Sequence, residues 1–246
     1  YSLYFFFQYG FPFEFDKEIF RKAISFGVRS YLACLLSFLI LRSDIYILNY
    51  FRGLEEVGWY SLAVGFCDGI LLLISSITLV LFPKITENQE QGLETTLKVS
   101  RITSLALFVI IIFSYLFGKP IILLLFGEQF LNSILPLYIL LPAIYFLAIT
   151  SFLTQFFASK GFPWITVWLW FPGLIINILL NMLYIPKYGM VVAALTSLIA
   201  YFLSFILHYI YLQRYAKVSF SKILVPKLNE VLNLLKSPFK DESLFK

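Results

Sequence analysis

RSDIYILNYFRGLEEVGWYSLAVGFCDGILLLISSITLVLFPKIT, residues 42–86, decides how the rest of the chain is read. It opens on the end of one apolar segment, crosses a short polar turn at residues 51–58 with Arg52, Glu55 and Glu56, and enters a second apolar segment that Pro83 is expected to end. The second segment, residues 59–82, exceeds the roughly 20 residues that carry a helix across about 30 Å of hydrocarbon. The stretch therefore reads as a membrane helix hairpin. It also carries Arg42, Asp44 and Asp68 at or inside the expected bilayer. A charge at that depth costs about 3 kcal/mol on insertion scales, so it is kept with a partner and a purpose.

Composition extends this reading outward. Of the 246 residues, 60% are hydrophobic, 20% aromatic and only 13% charged, with a mean hydropathy of +0.86. A soluble domain carries about 25% charged residues. The class is all-α: a polytopic membrane helix bundle of about six transmembrane helices. A net charge of +5 in such a chain is not a nucleic-acid signal, and no nucleic-acid partner is expected. Cys34 and Cys67 both sit in apolar segments without metal-ligand spacing, so no disulfide, metal or cofactor is expected.

Three parts are expected along the chain. Residues 1–22 are the tail of a preceding helix and a charged interfacial lead-in. Residues 23–213 hold the transmembrane helices. Residues 214–246 form a basic tail. Within the middle part, helices are expected at 23–41 (or on to 50), 59–82, 102–117, 134–158, 163–185 and 190–212, with a polar loop at 84–101. Gly118-Lys119-Pro120 should break the third, leaving 121–130 as an interfacial piece or a continuation. With the lead-in placed in the cytoplasm, 14 of the 19 Lys and Arg fall on that side and three on the other. Both ends of the chain are then cytoplasmic in a multi-pass cell membrane protein. In the tail, Phe220, Leu224, Leu228, Val231 and Leu235 recur at helical spacing, which predicts an amphipathic helix on the anionic leaflet.

No catalytic constellation is visible. His208 stands near the inner end of the sixth helix beside Tyr209 and Tyr211, where an imidazole is an interface-belt residue or a proton-linked site. The sharper candidates are intramembrane. Folding the hairpin about Gly53 puts Arg42 and Asp68 within four residues of equal depth, about 6 Å at helical rise. An Arg42–Asp68 pair, or an Arg42–Asp44–Asp68 cluster, is expected, serving either function or helix register. Gly65 and Gly69 flank Asp68 with the spacing that lets a neighbouring helix approach closely. Arg29 either snorkels to the interface or faces a cavity. Pro172-Gly173 interrupts the fifth helix, with Asn177 and Asn181 four residues apart beyond it. Such broken helices line transport cavities or serve as packing kinks.

The order of several motifs carries a family resemblance. After Asp44 come Val57, Gly58 and Tyr60 at the start of the next helix. LVLFPKITE (79–87), LLLFGEQF (123–130) and NILLNMLYIPKYGMVVAALTSLIAY (177–201) follow. Together they resemble the C-terminal half of polysaccharide-exporting flippases of the multidrug/oligosaccharidyl-lipid/polysaccharide exporter superfamily. The resemblance implies one lobe of a two-lobe transporter, whose missing N-terminal lobe faces it across a central cavity. It implies an isoprenoid-diphosphate-linked oligosaccharide as substrate, moved between leaflets by alternating access for surface polysaccharide export, with membrane lipid as the surroundings. Arg29 and Arg42 then become substrate-side candidates, with Asp44 and Asp68 tuning them or coupling to an ion. Asn177 and Asn181 line the cavity, and Pro172 and Gly173 are hinge candidates. The alternatives are a drug/cation antiporter of the same superfamily, or a membrane-embedded polymerase or ligase of polysaccharide assembly. An enzyme of that kind needs a long outer loop bearing catalytic residues, and the longest outer segment, 118–133, is short and mostly apolar.

Overall fold

The computed structural model describes residues 16–161, 164–227 and 229–230. The preceding-helix reading of residues 1–15 and most of the tail reading, Leu228 and 231–246, lie outside the described residues. The architecture is all-α. Helices α1 (Lys17–Arg52), α2 (Leu54–Glu87) and α3 (Gly92–Phe126) are followed by a 3-10 turn (Glu128–Ser133). Then come α4 (Ile134–Ser159), α5 (Trp164–Tyr188), α6 (Met190–Ala216) and a single turn, α7 (Ser221–Leu224). Six of the helices among the described residues are long and apolar enough to cross a membrane.

Local chemistry sets the ends. Asp16 caps α1, its Oδ1 accepting from the N–H groups of Glu18 (2.7 Å) and Ile19 (3.1 Å). Gly53, at φ +82°, ends α1 and starts α2 in a conformation that L side chains rarely adopt. The hairpin is therefore one residue wide, tighter than the eight-residue turn expected. At 34–36 residues, α1 to α3 reach about 51–54 Å and project beyond the hydrocarbon at their ends.

Three expectations need correction. The polar loop shrinks to the residues between Glu87 and Gly92, and Pro83 lies inside α2 rather than ending it. Helix α3 runs unbroken through Gly118-Lys119-Pro120. Its tertiary setting overrides the local signal: Tyr115 and Tyr138 each donate a hydroxyl to the other's carbonyl, at 2.6 and 3.0 Å, and pin α3 to α4 beside the proline. Gly118 lets the Tyr138 ring lie against the backbone there. In the tail, the described part holds one helical turn at Ser221–Leu224 and helical residues again at 229–230, while Leu228, Val231 and Leu235 of the expected amphipathic helix lie outside the described residues. Val218 and Ile223 are buried, and the Phe220 ring packs edge-on to Phe205 and Tyr209.

Helix α4 is the buried centre, packed on α2, α3 and α6, while α5 lies along α1 and α6. Within their most apolar windows, α4 is 61% buried and α1 only 11%. One core joins α2, α3, α4 and α6 around Phe152, Phe156 and Phe205; a second, around Ile40, Trp170 and Tyr201, joins α1 to α4, α5 and α6.

Candidate functional site

The legs of the α1–α2 hairpin splay away from Gly53, and the space between them is floored by α4 and α5. The result is a groove of about 610 Å³ running from Leu41 and Leu71 to Phe26 and Phe82. Its walls alternate apolar side chains with small hydroxyls: Ser30 and Ser37 from α1, Ser75 and Thr78 from α2, Ser151 and Thr154 from α4. Trp170 of α5 closes one side.

Arg42 and Asp68 bridge the legs at the Leu41–Leu71 end of this groove. Arg42 Nη2 donates to Asp68 Oδ2 at 2.8 Å, as the hairpin register led us to expect. About a third of each side chain remains exposed, so solvent or lipid headgroups screen the pair and it adds little stability. The GxxxG expectation fails here: a Cβ at Gly65 or Gly69 would meet nothing within 4 Å. Both glycines leave the space around Asp68 open instead of admitting a helix.

Asp44 does not join that pair. It is fully buried and turned into the α1–α2–α6 contact. Its Oδ2 accepts from Tyr60 Oη at 2.5 Å and Ser197 Oγ at 3.0 Å, and its Oδ1 from the Ile45 N–H at 2.7 Å. The network continues into α5. Asn177 Nδ2 donates to Ser197 Oγ at 3.4 Å, Ser43 Oγ donates to Asn177 Oδ1 at 2.8 Å, and Asn181 Nδ2 reaches the same oxygen at 3.0 Å. Thr196 Oγ1 in turn donates to Asn181 Oδ1. Asn177 and Asn181 are thus fully buried in a polar layer and do not line the groove. A pocket of about 10 Å³, room for one water-sized sphere, touches both Asp44 and Asp68.

Arg29 neighbours the groove residues Phe26 and Ser30 on α1 but does not itself line the groove. Its Nε is tied to its own turn, on Ser25 O at 2.8 Å, and no ion pair holds it among the described residues. At the α5 interruption, Gly173 is a close-approach site: a Cβ there would collide with Ser204 Oγ and meet Ala200 O at 3.1 Å. His208 is no interface residue. It is fully buried, with Nδ1 2.7 Å from Ser204 O and Nε2 3.3 Å from Thr154 Oγ1, against Trp170.

Tyr60, Ser43, Thr196 and Ser197 are site residues that sequence reasoning passed over. Tyr60 was visible within its motif and Ser197 within the 177–201 stretch, yet only the fold brings α2 and α6 to Asp44. Arg101 entered the sequence reading only as one of the 14 cytoplasmic Lys and Arg. Its side chain is buried, forked onto Glu230 (2.9 and 2.5 Å), and also bonded to Glu94 and Lys222 O.

An uncharacterized membrane protein of Methanocaldococcus jannaschii is 28% identical over 199 residues, 78% of this chain; the chain spans only 39% of that relative. The model of the polysaccharide biosynthesis protein family matches residues 1–135, which include Arg29, Arg42, Asp44 and Asp68. With more than half of its length matched, and six helices fit to cross a membrane, the chain belongs to the polysaccharide biosynthesis protein family and is a multi-pass membrane protein of it.

Proposed function

We propose that the chain is the C-terminal lobe of a flippase that carries an isoprenoid-diphosphate-linked oligosaccharide across the cytoplasmic membrane by alternating access, and that it catalyses no covalent chemistry. The observation that carries this is the groove between the splayed α1 and α2, lined with hydroxyls and with the Arg42–Asp68 pair at one end. A diphosphate and its sugars cannot cross hydrocarbon unaided, because each unsatisfied polar group costs several kcal/mol there. A polar groove open on one side removes that cost while the isoprenoid tail stays in lipid. A second lobe of the same protein closes the groove from the other side.

In this reading Arg29 and Arg42 are the substrate-side cations, at two positions about 20 Å apart along α1. Asp68 holds Arg42 until substrate arrives, and the open space at Gly65 and Gly69 gives access to both. Among the described residues Asp44 has three hydrogen-bond donors and no ion-pair partner, so its charge is the one a proton or alkali cation neutralises during the cycle. Asn177 and Asn181 complete that polar layer, and Pro172-Gly173 is where α5 bends. Both ends of the chain face the cytoplasm, on the side richer in Lys and Arg.

The test is export of surface polysaccharide in a flippase-deficient host that carries the full-length protein. The wild type restores export. Asp68→Ala, inserted at equal level, does not, and the charge swap Arg42→Asp with Asp68→Arg rebuilds the pair without restoring export. Failure of the wild type with a matched donor pathway rejects the flippase reading. Full activity of Asp68→Ala leaves the flippase and removes the pair from its mechanism.

A further inference from the structure

The groove has a selective chemistry of its own. No Asp, Glu, Lys or Arg lines it among the described residues. Its polar groups are hydroxyls and the Gln155 amide, and most of the hydroxyls are oriented alike. Ser37 donates to Cys34 O (2.8 Å), Ser75 to Leu72 O (2.8 Å), Thr78 to Ser75 O (2.7 Å), Ser151 to Leu147 O (3.0 Å) and Thr154 to Thr150 O (2.9 Å). These protons are directed to the residues' own helices, which leaves the oxygens of Ser37, Ser75, Thr78 and Ser151 able to accept, while Thr154 Oγ1 also meets His208 Nε2 at 3.3 Å. The wall is therefore an array of acceptors between apolar patches. Trp170, Phe26 and Phe82 supply aromatic surface to it.

From this wall, and resting on the flippase reading above, we infer that the sugar portion carried in the groove is uncharged and rich in hydroxyls. Sugar hydroxyls are donors that match the free lone pairs, and the C–H faces of the rings match the aromatic and aliphatic patches. An acidic sugar has the opposite character. Its carboxylate needs donors or a cation, and it would face acceptors in a low-dielectric setting. The two cations near the groove lie outside its wall. Arg42 is engaged by Asp68, and Arg29 is 13 residues away along α1, about 20 Å by helical rise. Arg29, without a carboxylate partner, takes the diphosphate, and the sugars extend from it toward the Arg42–Asp68 end.

The experiment uses the purified full-length protein in liposomes with two fluorescent isoprenoid-diphosphate trisaccharides. One is neutral; the other is identical except for a terminal uronic acid. The neutral substrate is expected to cross about a hundredfold faster, the scale at which a pocket rejects an added polar group that it has no partner for. Equal rates, or preference for the acid, overturn the inference while the flippase stands. If neither substrate moves, the flippase reading falls and the inference with it. Ser75→Arg places a cation in the wall at an exposed position and narrows the preference for neutral sugar by about tenfold. An unchanged ratio in that variant shows that the sugar does not lie in this groove and overturns the inference as well.

Discussion

At the scale of single residues, the buried carboxylate of Asp44 has the most consequence. Three donors converge on it, two from side chains on other helices. Removing the carboxylate by Asp44→Ala leaves the hydroxyls of Tyr60 and Ser197 buried without their acceptor. Each such group costs about 1–3 kcal/mol, so a loss of about 2–4 kcal/mol is expected. Asp44→Asn keeps an acceptor for Tyr60 and Ser197 but turns an amide donor toward the Ile45 N–H, and should lose about 1 kcal/mol. Thermal unfolding of the full-length protein in detergent measures both. Translocation separates the roles: if Asp44 carries the coupling charge, Asn and Ala abolish transport alike although their stabilities differ. Equal stability of the two variants would show that the hydrogen bonds around Asp44 do not hold the helices.

Between elements, the closest approach is at Gly173 of α5, against Ser204 and Ala200 of α6. Gly173→Ala forces these helices apart and should cost about 1–3 kcal/mol, the usual range for overpacking. Ser204 Oγ, the atom in the way, is buried without a hydrogen-bond partner, so Ser204→Ala alone should cost little. The double variant should recover much of the loss, and a double-mutant cycle of thermal midpoints reads the coupling. Additive effects would place the strain on the Ala200 carbonyl instead. The tail contact is a second case. Hydrogen bonding to Arg101 holds the Glu230 carboxyl below its ordinary range. A lowered carboxyl binds fewer protons when docked, so docking is strongest above the ordinary carboxyl value of about 4.5 and is lost as pH falls through the lower, docked value. A spin-label distance between α3 and the tail should lengthen with acid in the wild type, while Glu230→Gln should be loose at every pH. These contacts also explain what the sequence left hidden. The α1–α2 hairpin and the Arg42–Asp68 register were legible because hydropathy and helical rise are local rules. The continuity of α3 across Pro120 rests on Tyr138, and the burial of Arg101 on a residue 129 positions away, and neither follows from spacing.

For the whole molecule, the imbalance between α4 and α1 matters most. A window 61% buried in α4 marks the centre of a bundle; 11% in α1 leaves most of that helix facing lipid or another body. The groove and the Arg42–Asp68 pair lie on the α1 side, so the candidate site is at the margin of the chain. The packed core lies behind the site, and nothing among the described residues covers its front, as the half-cavity of the proposed flippase requires. The site's polar layer was only half legible in the sequence for the same reason, since Asp44 and Asn177 belong to helices that meet only when the bundle closes. The two cysteines report on this arrangement. Cys34 is exposed on the groove wall, whereas Cys67 is buried. Expressed alone, the chain should insert and keep the α2–α4–α6 core, yet move no lipid-linked sugar. Its Cys34 should react only with a lipid-soluble maleimide. In the full-length protein the same thiol should become reactive to a water-soluble maleimide and be protected by lipid-linked substrate, while Cys67 stays unreactive in both. Mass spectrometry of the labelled peptides decides the matter. Transport by the chain alone, or water-soluble labelling of Cys34 in the chain expressed alone, would overturn the proposed second lobe and mean that these helices enclose a complete pathway by themselves.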